Sequence, residues 1–355
     1  MRMLKFSMSF VITSLVAVFV ATPTSAIAAD VNWKMATPWS GGPWLERDVK
    51  GYAKRVADLT EGRVDITVYP GGTLYSPLKV TEGVQKGVAE IGNNWMGYDW
   101  GIDKTGVLFA GYAGGLTPEG YMLWMYKGGG LELWQQWRQE EFDVISYPCA
   151  ILGTDIFLHS TKRIQTLEDF QGLKLRTAGA WADIASRLGA STVVMSGGEV
   201  YSALERGIIQ AAELGTPEIN LPTGLQDIAQ YVIVPGIQNP GGLLECQVNK
   251  EAWSELSEHD QKMLKLAGKL SVFESWLDSS AADLDAFREL QEGPNEIVEL
   301  EQSFIDEAAR VTREWAEEQA TADPWFKEVL ESQTDFKNKL KTWSEYRLPI
   351  GSLAD

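Results

Sequence analysis

The chain has 355 residues and a formal net charge of -18 at pH 7, with 49 acidic against 31 basic side chains. This negative charge repels nucleic acid and anionic lipid, and it argues against both as partners. The length exceeds what one hydrophobic core usually holds, so we expect two lobes.

Residues 1–28 have the three parts of a secretory signal peptide. Arg2 and Lys5 precede an apolar run from Phe10 to Val20, and small residues end the segment at Ala26-Ile27-Ala28. The apolar run is shorter than the ~20 residues that a membrane span needs. No Cys directly follows the expected cleavage point, so we predict a periplasmic protein without a lipid anchor. Cleavage would take the net charge from -18 to -20, because it removes Arg2 and Lys5.

Cys149 and Cys246 are the two cysteines of the chain. In an oxidising compartment they would form a disulfide. Two separate buried thiols fit the sequence equally well.

The N-terminal part alternates between helical and strand patterns. Apolar residues from Leu45 to Ala57 recur at helical spacing, whereas residues 64–68 alternate between apolar and polar and predict a strand. A second helix begins at Ser76-Pro77, and a short strand covers residues 89–92. This alternation indicates an α/β fold.

A second α/β series begins near Ile151. The segment Thr166-Leu167-Glu168-Asp169 predicts a helix start, and residues 173–176 predict a strand. Residues 196–199 have the spacing of a capping box, which predicts a further helix through Leu204.

Two charged residues occupy strand ends in this series. Arg176 ends one predicted strand, and Glu213 directly follows the strand-like residues 208–212. In open α/β sheets, ligands bind beyond the carboxyl ends of strands. The planar fork of Arg176 suits a carboxylate, although a surface salt bridge is the ordinary alternative. For Glu213 the alternative is a solvated acid at a helix start, but its apolar neighbours favour a buried position.

The chain becomes helical to its end after two more predicted strands, at 231–234 and 243–248. From Ser257 to about Gln291 no Pro occurs, and the spacing predicts a helix of ~50 Å at 1.5 Å per residue. Such a helix is longer than one small lobe, so it would bridge two. A bent pair of shorter helices is the alternative.

Residues for common catalytic chemistry are scarce. Only His159 and His259 are present, so a His-rich metal site or a Ser-His-Asp triad has few candidates. Catalysis by a pair of carboxylates acting as acid and base stays an open alternative, because Asp and Glu are abundant.

Trp39, Trp95 and Tyr98 fall in loops that would face a cleft, although single aromatic residues belong more often to cores.

Five segments carry a family resemblance along nearly the whole sequence that follows the signal peptide. Their combined order and spacing resembles the solute-binding proteins of tripartite ATP-independent periplasmic (TRAP) transporters, the DctP family. The segments are 59–64, 69–74, 167–176, 199–207 and 211–213.

The resemblance implies an α/β, two-lobe periplasmic binding protein fold with crossing hinge strands and a long interlobe helix. Lobe 1 would comprise residues 29–151 plus 243–280, and lobe 2 with the C-terminal helices would comprise 152–242 plus 281–355. The lobes would close over a small organic carboxylate, which the protein would deliver to TRAP membrane permease subunits. The implied function is that of an extracytoplasmic receptor and not of an enzyme.

Within the family, the chain resembles binders of 2-oxo acids and lactate. Arg176 matches the carboxylate-clamping Arg, and Glu213 matches a Glu that helps hold a metal ion beside the substrate. Two positions depart from these relatives, since Asp155 stands in place of a Gln and Leu214 in place of a Trp. The implied metal site is Asp155, Glu213 and Leu214, holding Ca²⁺ or Na⁺, with the two carboxylates favouring Ca²⁺. The predicted ligand contacts are Trp39, Trp95, Tyr98, Asp155, Arg176, Glu213 and Leu214.

Three further points stay open from the sequence. Asp155 would contact the ligand directly if no cation binds. The helices around Trp325-Phe326 and Phe336 resemble a segment that some relatives use to form homodimers. Other functions would be a secreted metal-assisted lyase or hydrolase using Asp155 and Glu213, or a receptor that presents its ligand to a sensor.

Overall fold

The computed structural model describes residues 30–344 and residue 346, so the predicted signal peptide lies outside the described residues. The described part contains eleven strands in two sheets. The strands are β1 Val31–Ala36, β2 Val64–Tyr69, β3 Ile91–Asn94, β4 Val144–Leu152, β5 Leu158–Ser160, β6 Lys174–Arg176, β7 Ser191–Val193, β8 Ala211–Ala212, β9 Tyr231–Val234, β10 Gly242–Asn249 and β11 Glu296–Glu299.

Fourteen α-helices lie in the same part of the chain. They are α1 Lys50–Leu59, α2 Val80–Gln85, α3 Gly106–Ala110, α4 Pro118–Lys127, α5 Gly130–Phe142, α6 Leu167–Phe170, α7 Ala180–Arg187, α8 Gly197–Glu205, α9 Pro217–Asn220, α10 Leu225–Ile228, α11 Lys250–Glu255, α12 Glu258–Glu292, α13 Gln302–Ala322 and α14 Pro324–Ser344. A π-helical segment, Trp44–Val49, runs into α1, and 3₁₀ turns cover Pro77–Lys79, Met96–Gly101 and Leu221–Thr223. No helix among these described residues is long and apolar enough to cross a membrane.

The first sheet has the strand order β2-β1-β3-β10-β4. Strand β1 runs parallel to β2 and β3, whereas β10 runs antiparallel between β3 and β4. A disulfide between Cys149 on β4 and Cys246 on β10 joins neighbouring strands, with the two Cα atoms 5.5 Å apart. The structure therefore has the paired form of the two cysteines.

The second sheet has the order β11-β9-β5-β8-β6-β7. Strands β6 and β8 are parallel neighbours, and Arg176 pairs in register with Ala212. Because Arg176 ends β6 and Glu213 follows β8, the two residues lie at the same edge of this sheet. The predicted placement of both at strand ends is confirmed.

The chain passes between the two sheets three times. Residues 153–157 lead from β4 to β5, and residues 235–241 lead back from β9 to β10. These two crossings touch, since the main-chain N–H of Asp155 donates to the carbonyl of Asn239 at 3.2 Å. The third crossing is α12, which packs against α1 and β4 beside the first sheet and against α9 beside the second. Its 35 residues form one unbroken helix, as predicted, rather than a bent pair.

Local signals in the sequence had mixed outcomes. The capping boxes at Thr166 and Ser196 are both present. The predicted strand 208–212 is only Ala211–Ala212, because the preceding residues complete the turn after α8 and Ile208 is exposed. The expectation of helix to the end of the chain is wrong, because Gly293 and Pro294 end α12 and β11 then pairs parallel with β9.

The predicted lobe boundaries stay a prediction, and α14 is the element that fits them least. This helix packs against α13 and also against α3, α4 and α5, which lie beside the first sheet. Phe326 is fully buried and meets the Trp315 ring with centroids 5.6 Å apart, and Phe336 packs on the same core. The aromatic residues of the predicted dimer segment are thus in contact with their own chain.

Candidate functional site

A cavity between the two sheets is lined by all seven residues that the sequence predicted as ligand contacts. Its volume is about 40 Å³, which is room for about three waters at ~10–15 Å³ each. A ligand of only a few heavy atoms suits this space. Trp39, Trp95 and Tyr98 come from loops of the first sheet, Asp155 comes from a crossing segment, and Arg176, Glu213 and Leu214 come from the second sheet. Their roles in binding stay predictions.

Arg176 is buried, with 2% of its surface exposed. Its Nε and Nη2 atoms donate to the main-chain carbonyl of Met195 at 3.2 and 2.8 Å, and Nη1 donates to the carbonyl of Glu213 at 2.6 Å. These bonds fix the plane of the guanidinium and use three of its five N–H groups. Nη1 also donates to Oε1 of Glu213 at 3.5 Å, and Tyr98 is a further hydrogen-bond partner of Arg176, so the fork is oriented before any ligand arrives. The alternative of a solvent-exposed salt bridge does not hold.

Glu213 lies next to this guanidinium and is also buried. Its Oε1 atom accepts from the main-chain N–H of Ala178 at 3.2 Å and lies 3.5 Å from Nη1 of Arg176. Burial raises the pKa of Glu213, and the charge of Arg176 and the bond from Ala178 oppose that rise. The side chain is therefore not the solvated helix-start acid of the alternative interpretation.

Asp155 is the second buried carboxylate of the cavity. Its Oδ2 atom accepts from Nδ2 of Asn239 at 3.1 Å. Burial raises the pKa of Asp155 well above its ordinary value, the negative charge of Glu213 raises it further, and the hydrogen bond from Asn239 and the charge of Arg176 lower it in part. A cation placed between the two carboxylates would relieve the cost of keeping both ionised.

Aromatic rings form the opposite wall. The indole N–H of Trp39 donates to Oδ1 of Asn93 at 2.8 Å, and that of Trp95 donates to the carbonyl of Ala110 at 2.8 Å. Because both polar ends have protein partners, these two residues offer only ring surface to a ligand. The Tyr98 ring meets Trp95 edge-on with centroids 5.2 Å apart. Burial raises the pKa of Tyr98, so its hydroxyl stays protonated and available as a donor.

Several lining residues were not predicted from the sequence, and three of them carry an unpartnered polar atom. Trp181, Gln238 and Asn239 are buried, and the Nε1 atom of Trp181, Oε1 of Gln238 and Oδ1 of Asn239 have no partner in the described part of the chain. Buried polar atoms are normally satisfied, so these atoms are candidates for ligand or cation contacts. The turn-rich residues 235–242 between two strands were the available signal for Gln238 and Asn239. For Trp181, on α7, there was none.

The donor set around Asp155 and Glu213 fits a hard cation. Carboxylate and amide oxygens are what Ca²⁺ and Na⁺ bind, and Gln238 and Asn239 supply amide oxygens. No group of three or more His, Cys, Asp or Glu side chains suited to a metal occurs within residues 30–344, so the site would depend on neutral oxygens and the ligand for further coordination. Leu214 has only its main-chain carbonyl to offer.

A second cavity of about 280 Å³ adjoins the first. The two share Trp39, Trp44 and Leu214 as lining residues, so these side chains form the partition between them. Apolar side chains and glycines predominate in the rest of its wall, which includes Pro43, Gly197, Gly198, Val200, Ile219, Pro222 and Leu225.

Comparisons with known proteins were consistent with one another. The DctP family model, described as bacterial extracellular solute-binding protein family 7, matches residues 35–322. A monocarboxylate 2-oxoacid-binding periplasmic protein of Nostoc sp. is 32% identical over 326 residues, which cover 91% of this chain and 89% of the relative.

Two solved TRAP periplasmic solute-binding proteins share the fold. The one from Pseudoalteromonas atlantica, with bound sodium and pyruvate, superposes with a TM-score of 0.85 at 27% identity, covering 89% of this chain and 96% of the other. The one from Colwellia psychrerythraea, with bound calcium and pyruvate, superposes with a TM-score of 0.83 at 28% identity, covering 89% and 97%. The predicted fold class is therefore confirmed.

Proposed function

The chain belongs to the DctP family of bacterial extracellular solute-binding proteins, and we propose that it is a periplasmic receptor that binds a small 2-oxo or 2-hydroxy monocarboxylate together with a cation and delivers it to a TRAP membrane permease. The observation that carries this proposal is the buried guanidinium of Arg176, held by two main-chain carbonyls in a small cavity. The relative in Nostoc sp. is named for 2-oxoacid binding, and the two solved structures hold pyruvate, which supports the same ligand class.

Charge balance supports the cation. With both carboxylates ionised, Asp155, Glu213 and Arg176 together carry one net negative charge. A bound carboxylate would bring the total to two, buried among aromatic rings, which is costly. One Ca²⁺ would neutralise that total, and one Na⁺ would halve it. Two carboxylates in the site therefore favour Ca²⁺, whereas the solved relatives divide between the two ions.

The chemistry of each lining residue suits it to one role in binding the ligand or the cation. Arg176 would bind the ligand carboxylate through its guanidinium. Tyr98 and the unpartnered N–H of Trp181 would donate to the carboxylate or to the 2-oxygen. Asp155, Glu213 and the carbonyl of Leu214 would hold the cation. The rings of Trp39 and Trp95 would exclude water and thereby strengthen these charged contacts.

The alternative of a metal-assisted lyase or hydrolase is not favoured, because the family consists of solute-binding receptors. Asp155 and Glu213 are the only residues put forward for it, and the cation role uses both. Incubation of purified protein with its ligand, followed by mass analysis, should return the ligand unaltered. A consumed ligand would revive the enzyme hypothesis. Export to the periplasm through a signal peptide at residues 1–28 is part of the proposal.

The direct test is a binding panel. Protein comprising residues 29–355 would be stripped of ligand and metal by unfolding in chelator and refolding, and then titrated calorimetrically with 2-oxo, 2-hydroxy, aromatic and dicarboxylic acids. Each titration would be run in Ca²⁺, in Na⁺ and with chelator. We expect the 2-oxo or 2-hydroxy monocarboxylates to bind most tightly, and we expect chelator to lower their affinity. Binding of dicarboxylates alone, or of no acid, would refute the proposed ligand class.

A further inference from the structure

A buried ion network adjoins the aromatic wall of the small cavity, which consists of Trp39, Trp95 and Tyr98. Arg138 on α5 is fully buried, and its Nε atom donates to Oε2 of Glu245 on β10 at 3.0 Å. Its Nη2 atom donates to Oε1 of Glu245, and also to Oδ2 of Asp99 at 2.6 Å. We call these three charged residues, Arg138, Asp99 and Glu245, the anchor network.

Asp99 holds the turn that presents Tyr98 to the cavity. Both residues lie in the 3₁₀ turn Met96–Gly101. The main-chain N–H of Tyr98 donates to the carbonyl of Trp95 at 3.0 Å, and the two rings meet edge-on. Because Arg138 binds the Asp99 side chain, it fixes this turn and with it the position of the Tyr98 ring against Trp95.

Glu245 holds the strand that leads into the same wall. It pairs in register with Asn94, the last residue of β3, and Trp95 follows directly. The main-chain carbonyl of Glu245 accepts from Nδ2 of Asn93 at 3.0 Å, and Oδ1 of that amide accepts the indole N–H of Trp39. All three rings of the aromatic wall are thus joined to the anchor network through one or two residues.

The anchor network is a costly way to fill this space. Ser146 donates to Glu245 at 2.8 Å and Thr81 donates to Asp99 at 2.9 Å, so each carboxylate has a second donor. With both carboxylates ionised, the network still carries a net negative charge, and none of its members is more than 2% exposed. Desolvation offsets most of the attraction in such a network, so it contributes little net stability. Its distinctive contribution is direction, because its hydrogen bonds admit few arrangements.

We propose that Arg138 is a positioning residue for ligand binding, which acts through Asp99 and Glu245 by holding the aromatic wall in place. The inference rests on the proposed function, because it gives that wall a part in binding the acid. Arg138, Asp99 and Glu245 are not among the described residues that line the cavity, so their effect on a ligand is indirect.

The first experiment observes the wall without a ligand. Protein labelled with fluorotryptophan gives a fluorine NMR resonance for each Trp, and Trp95→Phe assigns the resonance of Trp95. In Asp99→Ala, which removes one carboxylate of the anchor network, we expect this resonance to shift or broaden. An unmoved resonance would overturn the positioning role.

Asp260→Ala is the matched control for this experiment. Asp260 is also a buried acid in an ion pair, with Arg63 at 2.9 Å, and the described lining of the cavity does not include it. Its loss should therefore leave the Trp95 resonance in place. An equal shift in Asp99→Ala and Asp260→Ala would overturn the proposal, because any loss of a buried ion pair would then disturb the wall.

The second experiment measures pyruvate affinity by calorimetry at saturating Ca²⁺. Asp99→Ala should lower the affinity about tenfold, the scale of one displaced hydrogen bond, and Asp260→Ala should leave it unchanged. In a Tyr98→Phe background the Asp99→Ala change should cost less, because the hydroxyl that the turn positions is absent. Equal losses in the two backgrounds would overturn the route through Tyr98. If the wild-type protein binds no acid, the proposed function fails, and the fluorine spectra still test the anchor network.

A triple variant separates positioning from folding. Asp99→Ala/Arg138→Met/Glu245→Leu removes all three charges together, so no unpaired charge stays buried. We expect its melting temperature to equal or exceed that of the wild-type protein, while its pyruvate affinity falls about tenfold or more. Wild-type affinity in the folded triple variant would overturn the proposal. Failure of this variant to fold would also overturn it, because the anchor network would then be required for folding itself.

Discussion

Replacement of Arg176 tests whether its guanidinium recognises the ligand carboxylate. In Arg176→Ala, the guanidinium that the proposal assigns to the ligand carboxylate is gone, and the carbonyls of Met195 and Glu213 lose their donors. In Arg176→Lys, the charge stays but the planar fork is lost, because Lys carries three donors on one atom. Comparison of the two variants therefore separates charge from geometry.

The magnitude follows from burial. Removing one partner of a buried charged contact costs about 2–5 kcal/mol of binding free energy, which is roughly a 30- to 5000-fold loss of affinity at 1.36 kcal/mol per factor of ten. Arg176 is 2% exposed, so solvent screening does not reduce this loss appreciably. For Arg176→Lys we expect a roughly tenfold loss of ligand affinity. The charge of Lys still offsets Asp155 and Glu213, but the planar fork that can form parallel hydrogen bonds to the ligand carboxylate is lost.

Calorimetric titration with pyruvate at saturating Ca²⁺ measures both losses. Arg187→Ala is the control, because Arg187 is partly exposed and pairs with Glu318 on the surface, so its loss should leave affinity unchanged. Circular dichroism melts report whether each variant folds. Wild-type affinity in folded Arg176→Ala would remove this residue from the site and with it the main support for the proposed function.

Other substitutions address separate parts of the molecule. Asp155→Asn should lower Ca²⁺ affinity at least tenfold in calorimetry, because an amide replaces a charged oxygen donor, and an unchanged affinity would exclude Asp155 as a ligand of the ion. Leu214→Trp should weaken the binding of branched-chain 2-oxo acids more than the binding of pyruvate, because a larger side chain would fill the partition between the two cavities. Equal losses of affinity for both acids would contradict the role of Leu214 in that partition. His159 is fully buried, and burial lowers its pKa from 6.5 to about 4. The unfolded chain therefore binds more protons than the native one between these values, and the free energy of unfolding contributed by His159 should fall by about 1.4 kcal/mol per pH unit as pH drops from 6.5 towards 4. Urea unfolding of wild type and His159→Gln across this window should show that difference, and a difference that does not vary with pH would be inconsistent with a buried neutral imidazole.

The sequence predicted those parts of the fold that local signals determine. Hydrophobic periodicity and the capping boxes at Thr166 and Ser196 gave the α/β alternation and the start of two helices. The absence of Pro from 257–291 gave the long crossing helix. Strand β11 was missed because a four-residue edge strand between two long helices has too few residues to establish a period.

The residues of the candidate site also divide into those that local sequence signals predict and those that tertiary structure brings together. Arg176 and Glu213 were found because each follows a strand, and strand ends can be read from a pattern. Asp155 required the family resemblance, because nothing local distinguishes it from the other acids. Gln238 and Asn239 were missed because the turn-rich segment 235–242 indicates a loop but not its neighbours, and its contact with the other crossing segment is set by tertiary structure.

Coupling between cation and acid follows from the arrangement of charges. The cation would lower the cost of placing a carboxylate beside Asp155 and Glu213, and the acid would supply the cation with further oxygen ligands. By linkage, each must then raise the affinity for the other by the same factor. A receptor built in this way stays weakly occupied when either component is scarce. The crossing segments at Asp155 and Asn239 join the two sheets at this point, so the charges that we propose to bind the ligand also lie where the two halves of the molecule meet.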